Sequence, residues 1–249
     1  MDGADRVYCA IDTVDIGVSA RLIDAVRGAT GGIKLGLEFF TAHGPDLVRR
    51  LVGRDTPLFL DLKLHDIPNT VAGAVRAVAP LTPTLLTIHC GGGPAMMRAA
   101  RAAAEEVSAR LGVPRPRLLG VTVLTSLDGG DLDAVGIAHQ PLQQVRRLAA
   151  LARANGMDGV ICSPLEIADL RAECGGDFLL VVPGIRPAGS DVGDQKRVMT
   201  PGEAMAKGAD YLVIGRPITE AASPRQAAEA IAAEIAGMLA AGAPRRAAR

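Results

Sequence analysis

A lysine stands between two aspartates in a short apolar run, Leu58-Phe59-Leu60-Asp61-Leu62-Lys63-Leu64-His65-Asp66. Side chains alternate along a strand, so Asp61 and Lys63 should share one face, at the mouth of the fold. Lys34 ends another apolar run, and adjacent strands lie about 4.8 Å apart, so Lys34 can reach Asp61. Asp66 follows the strand and can add a second carboxylate to Lys63. The predicted array alternates in charge: Lys34, Asp61, Lys63 and Asp66.

This array indicates whether Lys63 acts as a nucleophile or as a cation. A Schiff-base lysine must lose its proton, and neighbouring carboxylates oppose that loss. We therefore interpret Lys63 as a cation and proton donor, suited to a reaction that leaves negative charge on carbon. If Asp61 faces the substrate, it would repel a substrate carboxylate, and the loss of CO2 would relieve that repulsion. We rank this ground-state effect below the stabilisation of negative charge by Lys63. The alternative is a purely structural ion-pair network.

Two further segments resemble each other, Val182-Pro183-Gly184-Ile185-Arg186-Pro187 and Ile214-Gly215-Arg216-Pro217. Their glycines allow main-chain N–H groups to approach an oxyanion, and their arginines are forked donors suited to phosphate. Loops after the last two strands of an eight-stranded barrel often bind phosphate.

The long loop from Pro187 to Lys196 is typical of a lid, in which Gln195 could bridge phosphate and base. A flexible connector is the alternative.

The elements that would carry these residues alternate between short apolar runs and longer helical ones. Such runs are typical of parallel strands buried on both faces, and helices of 3.6-residue periodicity separate them. The predicted strands are Arg6–Asp12, Gly32–Leu35, Leu58–Lys63, Leu85–His89, Leu118–Leu124, Gly159–Cys162, Leu179–Val182 and Tyr211–Ile214. The predicted helices begin at Gly44-Pro45-Asp46 and at Pro68, and cover Ala95–Arg110, Leu142–Ala154, Pro201–Lys207 and Pro224–Leu239.

Eight such units in 249 residues favour an α/β fold, a single-domain (β/α)8 TIM barrel over residues 1–249, rather than an open doubly wound sheet. Residues 240–249 are expected to form a frayed tail. The 27 basic and 27 acidic residues balance, which argues against nucleic-acid and membrane partners. The chain shows no signal peptide and no apolar run of about 20 residues, and its four cysteines form no C-x-x-C pair. We expect a cytoplasmic protein with buried thiols.

The segment Asp61-Leu62-Lys63-Leu64-His65-Asp66-Ile67-Pro68-Asn69-Thr70 closely resembles the signature of the orotidine 5'-phosphate decarboxylase family. The resemblance extends over most of the chain, at the strand ends and in the two Gly-Arg segments. The other matching segments are Ala10-Ile11-Asp12, Lys34-Leu35-Gly36, Thr122-Val123-Leu124-Thr125-Ser126, Pro183-Gly184-Ile185-Arg186-Pro187, Gly193-Asp194-Gln195 and Ile214-Gly215-Arg216-Pro217.

The resemblance implies conversion of orotidine 5'-phosphate to UMP, without metal or organic cofactor, by a homodimer whose active sites are shared across the interface. Lys63 would protonate C6, and Asp61 would face the orotate carboxylate. Asp12 and Lys34 would bind the ribose, and Thr125 and Ser126 would contact the pyrimidine. Phosphate binding would fall to Arg186, Gln195, Gly215 and Arg216, and Pro183 would be a further substrate-binding residue. The neighbouring subunit would receive Asp66, Ile67 and Thr70.

Two alternatives remain open at this point. A related barrel acting on sugar phosphates with Mg²⁺ would share the charged array, but would lack the run from His65 to Thr70. A nucleotide-binding barrel without activity would not need Asp61 beside a substrate carboxylate. Metal-ligand spacings such as H-E-x-x-H are absent from the sequence, and His65 and His89 are expected to be packed residues.

Overall fold

The computed structural model describes residues 3–138, 140–187 and 199–241. Eight parallel strands close into a barrel in chain order, and the eighth strand pairs with the first. The strands are β1 (Val7–Ile11), β2 (Gly32–Gly36), β3 (Leu58–Leu64), β4 (Leu85–His89), β5 (Arg117–Val121), β6 (Gly159–Ile161), β7 (Leu179–Pro183) and β8 (Tyr211–Ile214). This arrangement confirms the predicted (β/α)8 barrel and excludes an open sheet.

Helices follow the strands and cover the outside of the barrel. In the described ranges they are α1 (Ile16–Val26), α2 (Leu37–Val52), α3 (Pro68–Val78), α4 (Gly93–Leu111), α5 (Gly129–Ala134), α6 (Pro141–Ala154), α7 (Ile167–Cys174), α8 (Pro201–Ala206), α9 (Arg216–Thr219) and α10 (Pro224–Ala240). None of the described helices combines the length and apolarity needed to cross a membrane.

Two boundaries differ from the sequence prediction for identifiable reasons. Strand β5 ends at Val121 rather than Leu124, because its neighbour β6 ends at Ile161, opposite Val121, and offers no further partner. Helix α2 begins at Leu37, before the predicted start, and kinks at Gly44, whose φ is 68°. The Gly-Pro pair therefore marks a kink between two helical segments, where Pro45 cannot donate a main-chain hydrogen bond.

The apolar core has two layers. The larger layer lies between the strands and the helices, and a smaller one fills the barrel interior with Tyr8, Phe59, Leu85, Leu119, Leu179 and Val181. The Tyr8 ring meets the Phe59 ring edge to face, with centroids 5.7 Å apart, and meets the Tyr211 ring at 5.6 Å. The inner layer blocks the barrel axis, so only the ends of the strands are left to form a site.

Candidate active site

A cavity of about 280 Å³ opens at the carboxyl ends of the strands. Its floor includes Phe59, Ile161 and Val213, which belong to or pack against the inner core layer. Nine of the residues predicted for the site border this cavity: Asp12, Lys34, Asp61, Lys63, Thr125, Pro183, Arg186, Gly215 and Arg216. The position agrees with the general rule that the βα loops of such barrels carry the chemistry.

Four charged side chains form a connected group on one side of the cavity. The Nζ of Lys63 lies 2.8 Å from Oδ2 of Asp61, and the Nζ of Lys34 lies 2.8 Å from Oδ1 of Asp12. Lys34 also approaches Oδ2 of Asp61 at 3.8 Å, as the strand spacing predicted. Only 10% of the Lys34 side chain is exposed, and these carboxylates are the partners that a buried ammonium group requires.

Asp61 and Lys63 both face the cavity, but simple alternation along a strand is not the whole reason. Between Leu60 and Leu64 strand β3 advances four residues, while its partner β4 advances only two, from Leu86 to Ile88. This irregularity places Lys63 in a left-handed conformation with a φ of 47°, which is uncommon for a residue with a side chain. The bulge therefore helps to set the direction of the Lys63 side chain.

Thr87 on β4 lies opposite this bulge and was missed by the sequence analysis. Its hydroxyl accepts a hydrogen bond from the main-chain N–H of Lys63 at 2.9 Å and donates one to Oδ1 of Asp61 at 3.0 Å. A single hydroxyl within Leu85-Leu86-Thr87-Ile88 was the available signal, because a buried hydroxyl requires a partner.

Asp66 does not join the charged group within one chain, which corrects the predicted four-membered array. Its Oδ1 accepts a hydrogen bond from the main-chain N–H of Ile67 at 2.6 Å, and it forms no ion pair with Lys63 in the described part of the molecule. The chain turns away here to begin α3 at Pro68. Asp66, Ile67 and Thr70 are exposed, and none borders the cavity of its own chain. Ser126 is likewise exposed and away from the cavity.

The two Gly-Arg segments meet at the other side of the cavity. Gly184 has a φ of 77°, a conformation that favours glycine, and Arg186 is buried at the cavity wall. The main-chain N–H of Arg186 donates to the carbonyl of Met199 at 3.0 Å, which joins the two ends of the long loop between them. Arg216 begins the short helix α9 directly after Gly215. The predicted lid and Gln195 fall in residues 188–198, outside the described residues.

Burial disfavours the charged forms of two other reactive side chains near the cavity, Cys162 and His89. Burial raises the pKa of the Cys162 thiol well above its usual value, so this cavity-lining cysteine is a thiol and not a nucleophilic thiolate. The pKa of His89 is lowered by burial and by the nearby charges of His65 and Lys63. The His65 and His89 rings stack with centroids 5.2 Å apart, but His65 is exposed, so the expectation of a packed residue is wrong for His65. No metal-binding group of three His, Cys, Asp or Glu residues occurs among the described residues.

The cavity therefore combines an ammonium and a carboxylate at one side, two guanidinium groups at the other, and apolar walls between them. Such a site suits an elongated anion that carries phosphate at one end and develops charge at the other.

Known proteins resemble this chain along nearly its whole length. The model of the "Orotidine 5'-phosphate decarboxylase / HUMPS family" matches residues 5–231. The orotidine 5'-phosphate decarboxylase of Rhodospirillum rubrum is 57% identical over 93% of this chain and 94% of that protein. The enzyme of the same name from Moorella thermoacetica is 52% identical over 94% of both chains.

Solved structures agree with the sequence relatives. The crystal structure of orotidine 5'-phosphate decarboxylase from Lactobacillus acidophilus superimposes with a TM-score of 0.83 and 37% identity, covering 92% of this chain and 98% of that one. The residues that the family model matches, 5–231, include the strands that carry the charged group as well as the two Gly-Arg segments. The chain therefore belongs to the orotidine 5'-phosphate decarboxylase / HUMPS family.

Proposed function

We propose that this chain decarboxylates orotidine 5'-phosphate to UMP, a step of pyrimidine nucleotide biosynthesis, with Lys63 as the proton donor to C6. The observation that carries the proposal is the 2.8 Å ion pair of Lys63 with Asp61 in a cavity that also contains two arginines. The high identity to enzymes of this name supports the decarboxylase over the Mg²⁺-dependent sugar-phosphate alternative.

The cavity suggests how the substrate lies. Its phosphate would be held by Arg186 and Arg216, helped by Pro183, Gly215 and Gln195. Its ribose hydroxyls would meet Asp12 and Lys34, which are already paired at 2.8 Å. Thr125 borders the cavity between these ends and would contact the pyrimidine, with Ser126 beside it in the chain. The orotate carboxylate would then lie next to Asp61.

The chemical step follows from this placement. The bond between C6 and the carboxylate breaks, CO2 leaves, and the electron pair remains on C6. The ammonium of Lys63 stabilises that charge and transfers its proton to C6, and the resulting amine regains a proton from solvent. Phosphate binding energy from the remote arginines can be used to hold the reacting end in place. Enzymes lower barriers by roughly 8–23 kcal/mol, and preorganised charge is the largest source of this effect in such a site.

A spectrophotometric assay with orotidine 5'-phosphate tests the proposal. We expect loss of substrate absorbance at the same rate with and without EDTA, because no step requires a metal. Activity that EDTA removes and Mg²⁺ restores would favour the sugar-phosphate enzyme. Tight UMP binding without any loss of absorbance would favour the non-catalytic nucleotide-binding barrel.

We further propose a homodimer that completes each site with Asp66, Ile67 and Thr70 of the neighbouring subunit. Apolar side chains are exposed on the βα loops and at the first residues of the helices that follow them, at the same end of the barrel. Ile67 is 67% and Leu37 is 53% exposed, and Val14 and Ile16 are exposed after β1. A two-fold axis would cover such a surface on both subunits at once. A second carboxylate would then reach Lys63 from across the interface.

Mixed dimers test the shared site. Lys63→Ala and Asp66→Ala variants should each be nearly inactive, but a mixed dimer contains one site with both residues intact. Random pairing should therefore restore about a quarter of wild-type activity. A mixture of Lys63→Ala with Asp61→Ala is the matched control, because these residues share one subunit and no intact site can form. If neither mixture is more active than its two unmixed variants together, the active site is not shared between subunits.

We also propose that the protein works in a reducing cytoplasm. The support is that Cys9, Cys90, Cys162 and Cys174 are all buried free thiols.

A further inference from the structure

Thr87 is wholly buried, with 0% of its surface exposed, yet both functions of its hydroxyl are used by residues of the charged group. We propose that Thr87 is a positioning residue: its hydroxyl fixes the Asp61 carboxylate and the left-handed backbone of Lys63, and so sets the place of the Lys63 ammonium. This inference rests on the proposed decarboxylase function, because it concerns the same site.

The two carboxylate oxygens of Asp61 have different partners, a hydroxyl for Oδ1 and ammonium groups for Oδ2. Oδ1 accepts from Thr87 at 3.0 Å, while Oδ2 faces the ammonium groups of Lys63 at 2.8 Å and Lys34 at 3.8 Å. A carboxylate with only Oδ2 contacts could rotate about its last bond. The Thr87 hydroxyl prevents this, since it holds the other oxygen from the buried side.

The backbone of Lys63 needs the same hydroxyl for a different reason. Between Leu60 and Leu64 the regular pairing of β3 with β4 is interrupted. Thr87 supplies an acceptor to the Lys63 N–H in this gap, at 2.9 Å, where the φ of Lys63 is 47°. A hydroxyl can donate one hydrogen bond and accept others, so one side chain can meet both requirements. Valine has nearly the same shape as threonine, but it can neither donate a hydrogen bond to Asp61 nor accept one from the Lys63 N–H.

Thr87 does not border the cavity, so it acts through Asp61 and Lys63 and not on the substrate. Loss of its hydroxyl should therefore change the reacting geometry more than ground-state binding. We expect Thr87→Val to lower kcat roughly 10- to 100-fold, the range for a hydrogen bond to a charged group. The KM for orotidine 5'-phosphate and the affinity for UMP should change less than about threefold. Thr87→Ser retains the hydroxyl and should recover most of kcat.

The experiment compares kcat, KM, UMP affinity and thermal unfolding for wild type, Thr87→Val and Thr87→Ser. Thr30→Val is the matched control, because it removes a hydroxyl that bonds two carbonyls before β2, at the opposite end of the barrel. Its kcat should equal that of wild type. If Thr87→Val does not fold, Thr87→Cys replaces it, since a thiol is a weak donor of nearly the same size.

The outcomes separate this inference from the proposed function. An inactive wild-type enzyme would contradict the decarboxylase itself. An active wild type with an unchanged kcat in Thr87→Val, or with Thr87→Ser as impaired as Thr87→Val, would overturn only the role of Thr87. A fall in kcat that Thr87→Ser reverses, with KM unchanged, supports it.

Discussion

Replacing Lys63 by alanine is expected to lower kcat for orotidine 5'-phosphate by about 10⁴-fold or more, since the proposed proton donor, which is also the proposed cation facing C6, would be lost. The remaining Asp61 carboxylate would then face the substrate without its 2.8 Å partner. UMP affinity should change less than about tenfold, because UMP is bound mainly through its phosphate. Single-turnover absorbance measurements and calorimetric titration with UMP provide the two quantities.

The chain offers a matched control for this substitution. Lys207 is an exposed lysine that directly follows α8, so Lys207→Ala removes the same side chain away from the cavity and should leave kcat unchanged. Wild-type turnover in Lys63→Ala would remove Lys63 from the mechanism. Trapping of substrate on Lys63 by a reducing agent would indicate a covalent intermediate instead of proton transfer.

Replacing Arg216 by alanine is expected to lower kcat/KM for orotidine 5'-phosphate by about 10- to 100-fold, as for the loss of a hydrogen bond to a charged group. The phosphate-free nucleoside orotidine should lose less than about threefold, because it makes no use of this guanidinium. The ratio of the two effects, measured under kcat/KM conditions, isolates the phosphate contribution.

Arg225 provides the control for Arg216. It lies in the first turn of α10, where it pairs with Glu229 at 2.9 Å, and more than half of its side chain is exposed. Arg225→Ala should leave both substrates unaffected, since exposed ion pairs contribute little. Equal losses for nucleotide and nucleoside in Arg216→Ala would mean that Arg216 serves the fold and not the phosphate.

The sequence predicted the barrel well because its strands are buried on both faces. Leu85–His89 and Tyr211–Ile214 were predicted with the bounds that the structure gives. In a chain that alternates between strands and helices, short apolar runs are stable mainly as strands of a parallel sheet that helices cover. The charged ends of the strands could be predicted for the same reason, since polar side chains after such runs collect at one edge.

The features that escaped prediction depend on more than the local sequence. The bulge at Lys63 arises from the mismatch between β3 and β4, and the importance of Thr87 follows from that mismatch. Hydrophobic periodicity along one strand contains no information about its partner's register. The position of Asp66 could not be predicted from spacing either, because the chain leaves the strand direction after Leu64 and begins α3 at Pro68.

The edge-to-face tyrosine pair in the inner core layer also gives the protein an intrinsic spectroscopic signal. The sequence contains two tyrosines and no tryptophan, and the two rings lie 5.6 Å apart beneath the cavity. Intrinsic ultraviolet emission must therefore originate from this one place. Phe59 contacts Tyr8 and borders the cavity, so we expect nucleotide binding to alter this emission through Phe59, which a stopped-flow instrument can record on the unlabelled protein.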